Sequence, residues 1–138
     1  MPQLATFEIG DARVKFLLIV HHNETSFAAM SEPVKRGMLA ESVQVTHDLH
    51  AKGQYLHASP LMPSAAGARV RVRDGKVSVT DGPFIETHEH IGGYFLIDAQ
   101  DLAEAVAIAA RIPGARLGYI EVRQVREIDG LPDVKNIV

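Results

Sequence analysis

The chain of 138 residues contains neither cysteine nor tryptophan. Without cysteine it can form no disulfide, no thiolate metal site and no cysteine nucleophile. Its longest apolar runs, such as Phe16–Val20, have the length of a strand and are too short to span a bilayer. The start of the chain also lacks the basic and apolar segments of a secretion signal. We therefore expect a cytoplasmic protein with no membrane partner.

The chain also lacks an excess of positive charge. Its formal net charge is −3 with both signs mixed, so we expect no nucleic-acid partner. A chain of this length is normally one domain, with a core large enough to be stable without cross-links. We expect a single domain over residues 1–138, with a core from about residue 12 to 126 and a C-terminal tail over residues 127–138.

Hydrophobic periodicity predicts the order strand, helix, strand, hairpin, strand, helix, strand. Val14–Val20 is apolar at both alternating sets of positions, as in a central strand covered on two faces. Ser31 is the predicted N-cap of the first helix, which continues to Gly53. The second helix is predicted to begin with Asp98 and Asp101 and to end at a Pro-Gly pair. The remaining single strands are predicted over Tyr55–Ala58, Gly93–Ile97 and Tyr119–Val125.

A β-hairpin is the clearest local signal in the chain. Arg69–Arg73 and Lys76–Thr80 alternate between polar residues and valines on either side of Asp74-Gly75, the typical pair of a type I′ turn. In this register the valines of both strands share one face. We expect that face to be buried and the opposite, arginine-bearing face to be solvated.

These elements predict an α+β fold of the ferredoxin-like type, because two strand–helix–strand halves flank the extra strands. We expect a ferredoxin-like sandwich of the order β-α-β-β-β-β-α-β, in which an antiparallel sheet carries two helices on one face. The other face of the sheet is apolar and needs a cover. A second copy of the chain is the simplest cover, so we expect a homodimer.

The loop between the hairpin and the next strand holds the densest group of ionisable residues. Asp81 precedes a Gly-Pro pair that constrains the backbone, and Glu86, His88, Glu89 and His90 follow within ten positions. A constrained polar loop is a better functional pointer than a core position. We therefore take Glu86, His88, Glu89 and His90 as candidate ligand-binding residues.

This loop allows a metal interpretation and a simpler one. In an extended backbone Glu86, His88 and His90 lie on one face, and two imidazoles with a carboxylate form a known ligand set for zinc or non-haem iron. Charged side chains in a loop are more often simply solvated, since short sequence motifs frequently match where no metal site exists. We expect no bound metal and no cofactor.

An acid–base or ligand-orienting site centred on Asp81 is the third interpretation. His22 and His57 stand at the ends of neighbouring strands, and histidine is the natural general base near neutral pH. Asp81, His22 and His57 are therefore the candidate catalytic residues. Asp81 has a structural alternative, in which its carboxylate braces its own turn through backbone N–H groups.

The run Arg71–Phe84, which ends in Asp81-Gly82-Pro83-Phe84, resembles the YCII-related proteins of the DGPF type. Gly92-Gly93-Tyr94 and Ile120–Arg123 agree with this resemblance, which extends over nearly the whole chain, Val14–Val125. The resemblance implies a ferredoxin-like subunit paired into a dimeric α+β barrel. It also implies a bacterial protein that is often encoded near an extracytoplasmic-function sigma factor and whose biochemical role is largely unassigned.

The chain departs from this family at three places. His88-Glu89 stands where Lys-Glu is usual, His90 stands where Gln or another residue is more common, and Gln124 stands where Pro is common. The wider superfamily has a proposed His–Asp pair, but Leu39 and Ala51 occupy the corresponding positions here, so that pair is not transferred.

Two functions are compatible with these observations. The first is a small-molecule-binding protein or small enzyme with a cleft near the Asp81–His90 loop. The alternative is a non-catalytic accessory or regulatory protein of a sigma-factor system that acts through protein contacts. A deep pocket with a perturbed His or Asp would favour the first function, and an exposed apolar patch would favour the second. The sequence leaves open whether the protein is an enzyme.

Overall fold

The computed structural model describes residues 13–83 and 89–132. Within these residues the chain forms six strands, four helices and one short 3₁₀ turn. The strands are β1 (Val14–His22), β2 (Tyr55–Pro60), β3 (Ala68–Arg73), β4 (Lys76–Asp81), β5 (His90–Ala99) and β6 (Tyr119–Gln124). The helices are α1 (Glu24–Ala28), α2 (Glu32–Ala51), α3 (Leu102–Ala109) and α4 (Gly114–Leu117), and the 3₁₀ turn is Ser64–Ala66.

Four of the strands form one antiparallel sheet in the order β2-β5-β1-β6. The two-sided apolar strand β1 is central, as predicted. β1 and β2 flank α2, and β5 and β6 flank α3 and α4, so two strand–helix–strand halves build the sheet. The predicted α+β, ferredoxin-like fold is confirmed. None of the helices in the described ranges has the length and hydrophobicity that a membrane span requires.

The core lies between one face of this sheet and the helices α2 and α3. Because alternate residues of a strand share a face, β1 and β5 each direct every second side chain into the core. The largest contributors are Phe16, Leu18, Val45, Leu49, Phe95, Ile97, Ile108 and Ile112. We call the opposite face of the sheet the open face. It carries Leu17 and Ile19 of β1 and Tyr94 and Leu96 of β5.

The second main helix begins later than predicted. Asp98 belongs to β5, which continues to Ala99 because that residue still pairs with Val14 of β1. Asp101 is the N-cap instead, and its carboxylate accepts a hydrogen bond from the Glu104 N–H at 2.9 Å. The Glu104 carboxylate in turn accepts one from the N–H of residue 100 at 2.7 Å. The predicted pair of capping carboxylates, Asp98 and Asp101, is therefore replaced by Asp101 and Glu104, three residues further along the chain.

The hairpin has the predicted register and turn, but its predicted burial is wrong in the single chain. The valines pair with each other across the strands, and Asp74 and Gly75 have φ values of 51° and 75°. However, β3 and β4 form a separate two-stranded sheet, and the valines are 54–68% exposed. Alternation predicts which side chains share a face, but it does not show whether another element covers that face. We call Val70, Val72, Val77 and Val79 the valine face.

Gly75→Val is expected to destabilise the hairpin by about 1 kcal/mol, because a β-branched residue tolerates a positive φ poorly. Gly75→Asn is the matched control, since asparagine adopts this conformation more readily. Amide hydrogen exchange of β3 and β4 measures the effect, and exchange should accelerate much more in Gly75→Val. Equal exchange in the two variants would contradict the turn assignment.

Candidate functional site

A cavity of about 280 Å³ lies between the sheet and α2, which lines it from Lys35 to Thr46, and the segment from Ile112 to Leu117 also borders it. α2 is buried only near its C-terminal end, at Val45 and Leu49, whereas Leu39 and Val43 nearer its start are 54% and 45% exposed. On the sheet side, Gly92-Gly93 of β5 adds no side chain to the space. A helix that packs at one end only, above small residues, therefore leaves room for a ligand.

The cavity is lined mainly by apolar side chains. A concave apolar surface with a few polar groups is the usual form of a small-molecule site. The polar residues of its lining are His22, Lys35, Ser42, Thr46, Tyr55, Ser59 and Tyr94. Of these residues, His22 and Lys35 have side chains that can carry a charge near neutral pH.

His22, the last residue of β1, forms one polar end of the cavity. Its ring lies 5.0 Å from the Phe27 ring, measured between centroids. A Cβ atom on Gly92 would lie 2.7 Å from the imidazole, so a larger residue there would displace the ring. Burial lowers the pKa of His22, although the nearby Glu24 opposes this shift. The imidazole is therefore mainly neutral at neutral pH, and it can donate one hydrogen bond and accept another.

Glu24, the first residue of α1, is a fixed carboxylate next to His22. It accepts two hydrogen bonds from Ser64, one from the backbone N–H at 2.8 Å and one from the hydroxyl at 2.6 Å. Its Oε1 lies 3.7 Å from Nδ1 of His90, which is paired with His22 across β1 and β5. Burial of this carboxyl opposes ionisation, but the Ser64 hydrogen bonds and the two histidines hold the pKa of Glu24 below its usual value. We call His22, Glu24 and His90 the His–Glu–His cluster.

The family model of the YCII-related domain matches residues 14–129, which include every strand and helix described above. The chain belongs to the YCII-related family. It is also similar to an uncharacterized protein of Rhizobium meliloti (strain 1021), with 29% identity over 110 residues that make up 78% of this chain and 89% of that protein. The DGPF type stays a prediction from the motif at Asp81.

Of the candidate residues from Asp81 to His90, the described part of this YCII-related chain places one, His90, in the His–Glu–His cluster. His90 lies in β5, which begins three residues earlier than predicted, and its side chain is 16% exposed. Glu89 is exposed before it, and Asp81 is exposed at the end of β4, where it pairs with Ala68. The bracing role of the Asp81 carboxylate stays a prediction.

Two predicted ligand-binding residues, Glu86 and His88, lie outside the described residues. The metal interpretation that combines them with His90 is therefore not tested. Within residues 13–83 and 89–132, no group of three His, Asp or Glu side chains is placed to hold a metal ion.

His57 lies on the other side of the sheet from His22. Its neighbour Ala58 packs against the core, so strand alternation directs His57 to the open face. There its Nδ1 lies 2.7 Å from the Tyr94 hydroxyl. The YCII-related fold thus joins His22 with His90, and it separates both from His57.

Sequence reasoning missed Glu24 and Ser64. Glu24 follows His22 by two positions, and this closeness is the one signal that the sequence offers. Ser64 stands in a short Pro-Ser-Ala-Ala segment without any functional signature. The two residues are 40 positions apart, so their contact depends on tertiary structure.

The pKa shifts predict a loss of stability on acidification. The folded-state pKa of His22 lies below its ordinary value of 6.5, so protonation favours the unfolded chain. The stability that depends on neutral His22 is complete above pH 6.5 and is lost as the pH falls through the folded pKa. The contribution of Glu24 is lost at lower pH, below its ordinary value of 4.5.

His22→Gln is therefore expected to flatten the dependence of melting temperature on pH between about pH 7.5 and 5.5. His47→Gln, on the exposed surface of α2, is the matched control and should retain the wild-type profile. If the His22→Gln profile were as steep as that of the wild type, the half-buried neutral imidazole would not be the source of the pH dependence.

Proposed function

We propose that this YCII-related protein binds a small molecule in the cavity under α2. The neutral imidazole of His22 forms a hydrogen bond with this molecule or transfers a proton to or from it. The observation that carries the proposal is the position of His22, which lines the cavity and has a fixed carboxylate beside it. A histidine in this setting suits proton transfer near neutral pH. In this proposal, the predicted cleft near the Asp81–His90 loop is the cavity on the α2 side of the sheet.

A thermal-shift screen with a metabolite library tests this function, because a ligand that binds only the folded state raises the melting temperature. Ser42 lines the cavity from α2. Ser42→Leu should fill the space, and Ser42→Ala is the matched variant that leaves it open. We expect some compounds to stabilise the wild type and Ser42→Ala but not Ser42→Leu. Equal stabilisation of all three proteins, or no stabilising compound at all, would contradict the proposal.

Gly92→Ala tests the part played by His22. Its Cβ would meet the tip of a side chain and not backbone, so we expect the imidazole to move while the sheet remains folded. Compounds found in the screen should bind at least about tenfold more weakly to this variant, with a melting temperature close to that of the wild type. Unchanged binding would show that the position of the ring is unimportant.

We also propose that the protein is a homodimer in which a second copy covers the open face. Three observations support this. Leu17, Ile19 and Leu96 lie on this face and are only half-buried in one chain. Beside them, His21 Nε2 lies 2.9 Å from Glu121 Oε1, and the His21 ring stacks on Tyr119 with centroids 4.6 Å apart. Apolar sheet faces of this kind, with satisfied polar pairs, are typical of self-association surfaces.

The second candidate function is an accessory role through protein contacts in a sigma-factor system, and the exposed valine face favours it. Val72→Lys and the matched variant Ser78→Lys, on the opposite side of the hairpin, test it by sedimentation. If the valine face packs on the second copy, Val72→Lys weakens the dimer and Ser78→Lys does not. If both variants remain dimeric, the valine face is available to another protein, as the accessory role requires.

A further inference from the structure

We propose that the ligand of the cavity is a small hydrophobic acid, whose anionic group pairs with Lys35 and whose apolar body fills the space under α2. This inference rests on the proposed small-molecule function and names the class of ligand. It is carried by the charge and the shape of the cavity lining.

Lys35 is the source of positive charge in the lining, and among the described lining residues there is no carboxylate. Its ammonium lies 5.5 Å from the centre of the Phe27 ring, against which His22 also packs. Lys35 and His22 therefore border the same part of the cavity. Glu24 lies beside His22 but is not among the residues that line the cavity. A lining whose described residues provide one cation, one neutral imidazole and no carboxylate is complementary to a ligand with a single negative charge.

The existing partner of Lys35 leaves it able to bind such an anion. Lys35 Nζ lies 3.4 Å from the carboxylate of Glu32, one turn earlier in α2. The Glu32 side chain is 72% exposed, whereas that of Lys35 is 23% exposed. An ion pair with a carboxylate as exposed as that of Glu32 is worth little, because water and salt screen it. A ligand anion on the cavity side would meet the ammonium in a less solvated setting, where the attraction is stronger.

The remainder of the lining selects for a small apolar body. Phe27, Leu39, Val43 and Phe95 present hydrocarbon surface to the space. Its volume of about 280 Å³ is near the lower limit of small-molecule sites, which span roughly 300–1,000 Å³. Burial of hydrocarbon contributes about 25 cal/mol per Å², so a compact ring or branched chain is favoured over a polar ligand of equal size.

A bound anion also changes the titration of His22. Among the described residues, the groups that act on this imidazole are Glu24 of α1, His90 of β5 and Glu89 just before it, and Lys35 faces the same space from α2. An added negative charge favours the imidazolium form. Binding of an acid should therefore be accompanied by uptake of a proton, whereas binding of a neutral analogue should not.

Isothermal calorimetry at about pH 7 tests the inference with benzoate, phenylacetate and 4-methylpentanoate, each compared with its neutral amide. We expect each acid to bind at least about tenfold more tightly than its amide. Lys35→Met should abolish this difference. Glu32→Gln removes the surface ion pair but keeps the ammonium, so it should retain the difference. The heat of acid binding should depend on the ionisation enthalpy of the buffer in the wild type and not in His22→Gln.

Each other outcome overturns a defined part of the account. Equal affinity for acids and amides would overturn the ligand class and leave the small-molecule function intact. A preference for acids that survives in Lys35→Met would overturn the role of Lys35. If none of the acids binds while other library compounds do, the ligand class is wrong. If no compound of any charge binds, the proposed function is wrong as well.

Discussion

Glu24→Ala is expected to lower the free energy of unfolding by about 2–4 kcal/mol, as measured by urea denaturation. The carboxylate accepts two hydrogen bonds from Ser64, and a hydrogen bond to a charged group contributes about 1.5–3 kcal/mol. The Glu24 side chain is 22% exposed, so after the substitution water can hydrogen-bond to Ser64 and offset part of the lost stability. The contact also holds the 3₁₀ turn against Gly82, where a Cβ atom would lie 1.8 Å from the Ser64 carbonyl oxygen.

Glu32→Ala is the matched control for this experiment. It removes a carboxylate from the same position of the neighbouring helix, but one that is 72% exposed. Its loss should cost at most about 1 kcal/mol. Equal losses in Glu24→Ala and Glu32→Ala would show that Glu24 does not connect α1 to the 3₁₀ turn.

Leu17→Lys is expected to convert the proposed homodimer into a monomer. Leu17 lies on the open face of the central strand β1, and obligate interfaces typically bury on the order of 2,000 Å² or more. An unpaired ammonium inside such an interface costs several kcal/mol, which is enough to shift dissociation by several orders of magnitude. Sedimentation velocity at micromolar concentration measures the change.

Val106→Lys is the control for the dimer experiment. Val106 lies on α3, on the helical side of the sheet, and it is already 51% exposed in one chain. The same change of an apolar residue to lysine should leave the dimer intact there. A wild-type protein that sediments as a monomer would contradict the assembly, and so would a Leu17→Lys variant that remains dimeric.

Local signals predicted the parts of the fold that depend on nearby residues. The hairpin register follows from Asp74-Gly75, because a two-residue turn fixes which residues face each other. The start of the long helix follows from Ser31, whose hydroxyl accepts from the Val34 N–H at 3.4 Å. The second helix was displaced because pairing between β1 and β5 continues through Asp98, and this long-range pairing outweighs the capping preference of that residue.

The candidate site could be predicted only in part, because its members come from distant segments. His22 and His90 are visible as ionisable residues next to apolar strands, but their pairing depends on the register of β1 and β5. The cavity depends on how far α2 departs from the sheet, and no local pattern specifies that distance. In the sequence, His22 and His57 both stand as histidines at strand ends. The structure separates them, because strand alternation directs their side chains to opposite faces of the sheet.

The most direct test of the central claim is the NMR spectrum of the histidine Cε1–H groups during titration with the strongest stabilising compound from the screen. The His22 signal is expected to shift with the occupancy of the cavity, because its ring lines that space. The His57 signal should remain unchanged, since strand alternation directs the His57 side chain to the opposite face of the sheet from the core. A shift of the His57 signal with no change at His22 would place the ligand on the open face and contradict the proposed site.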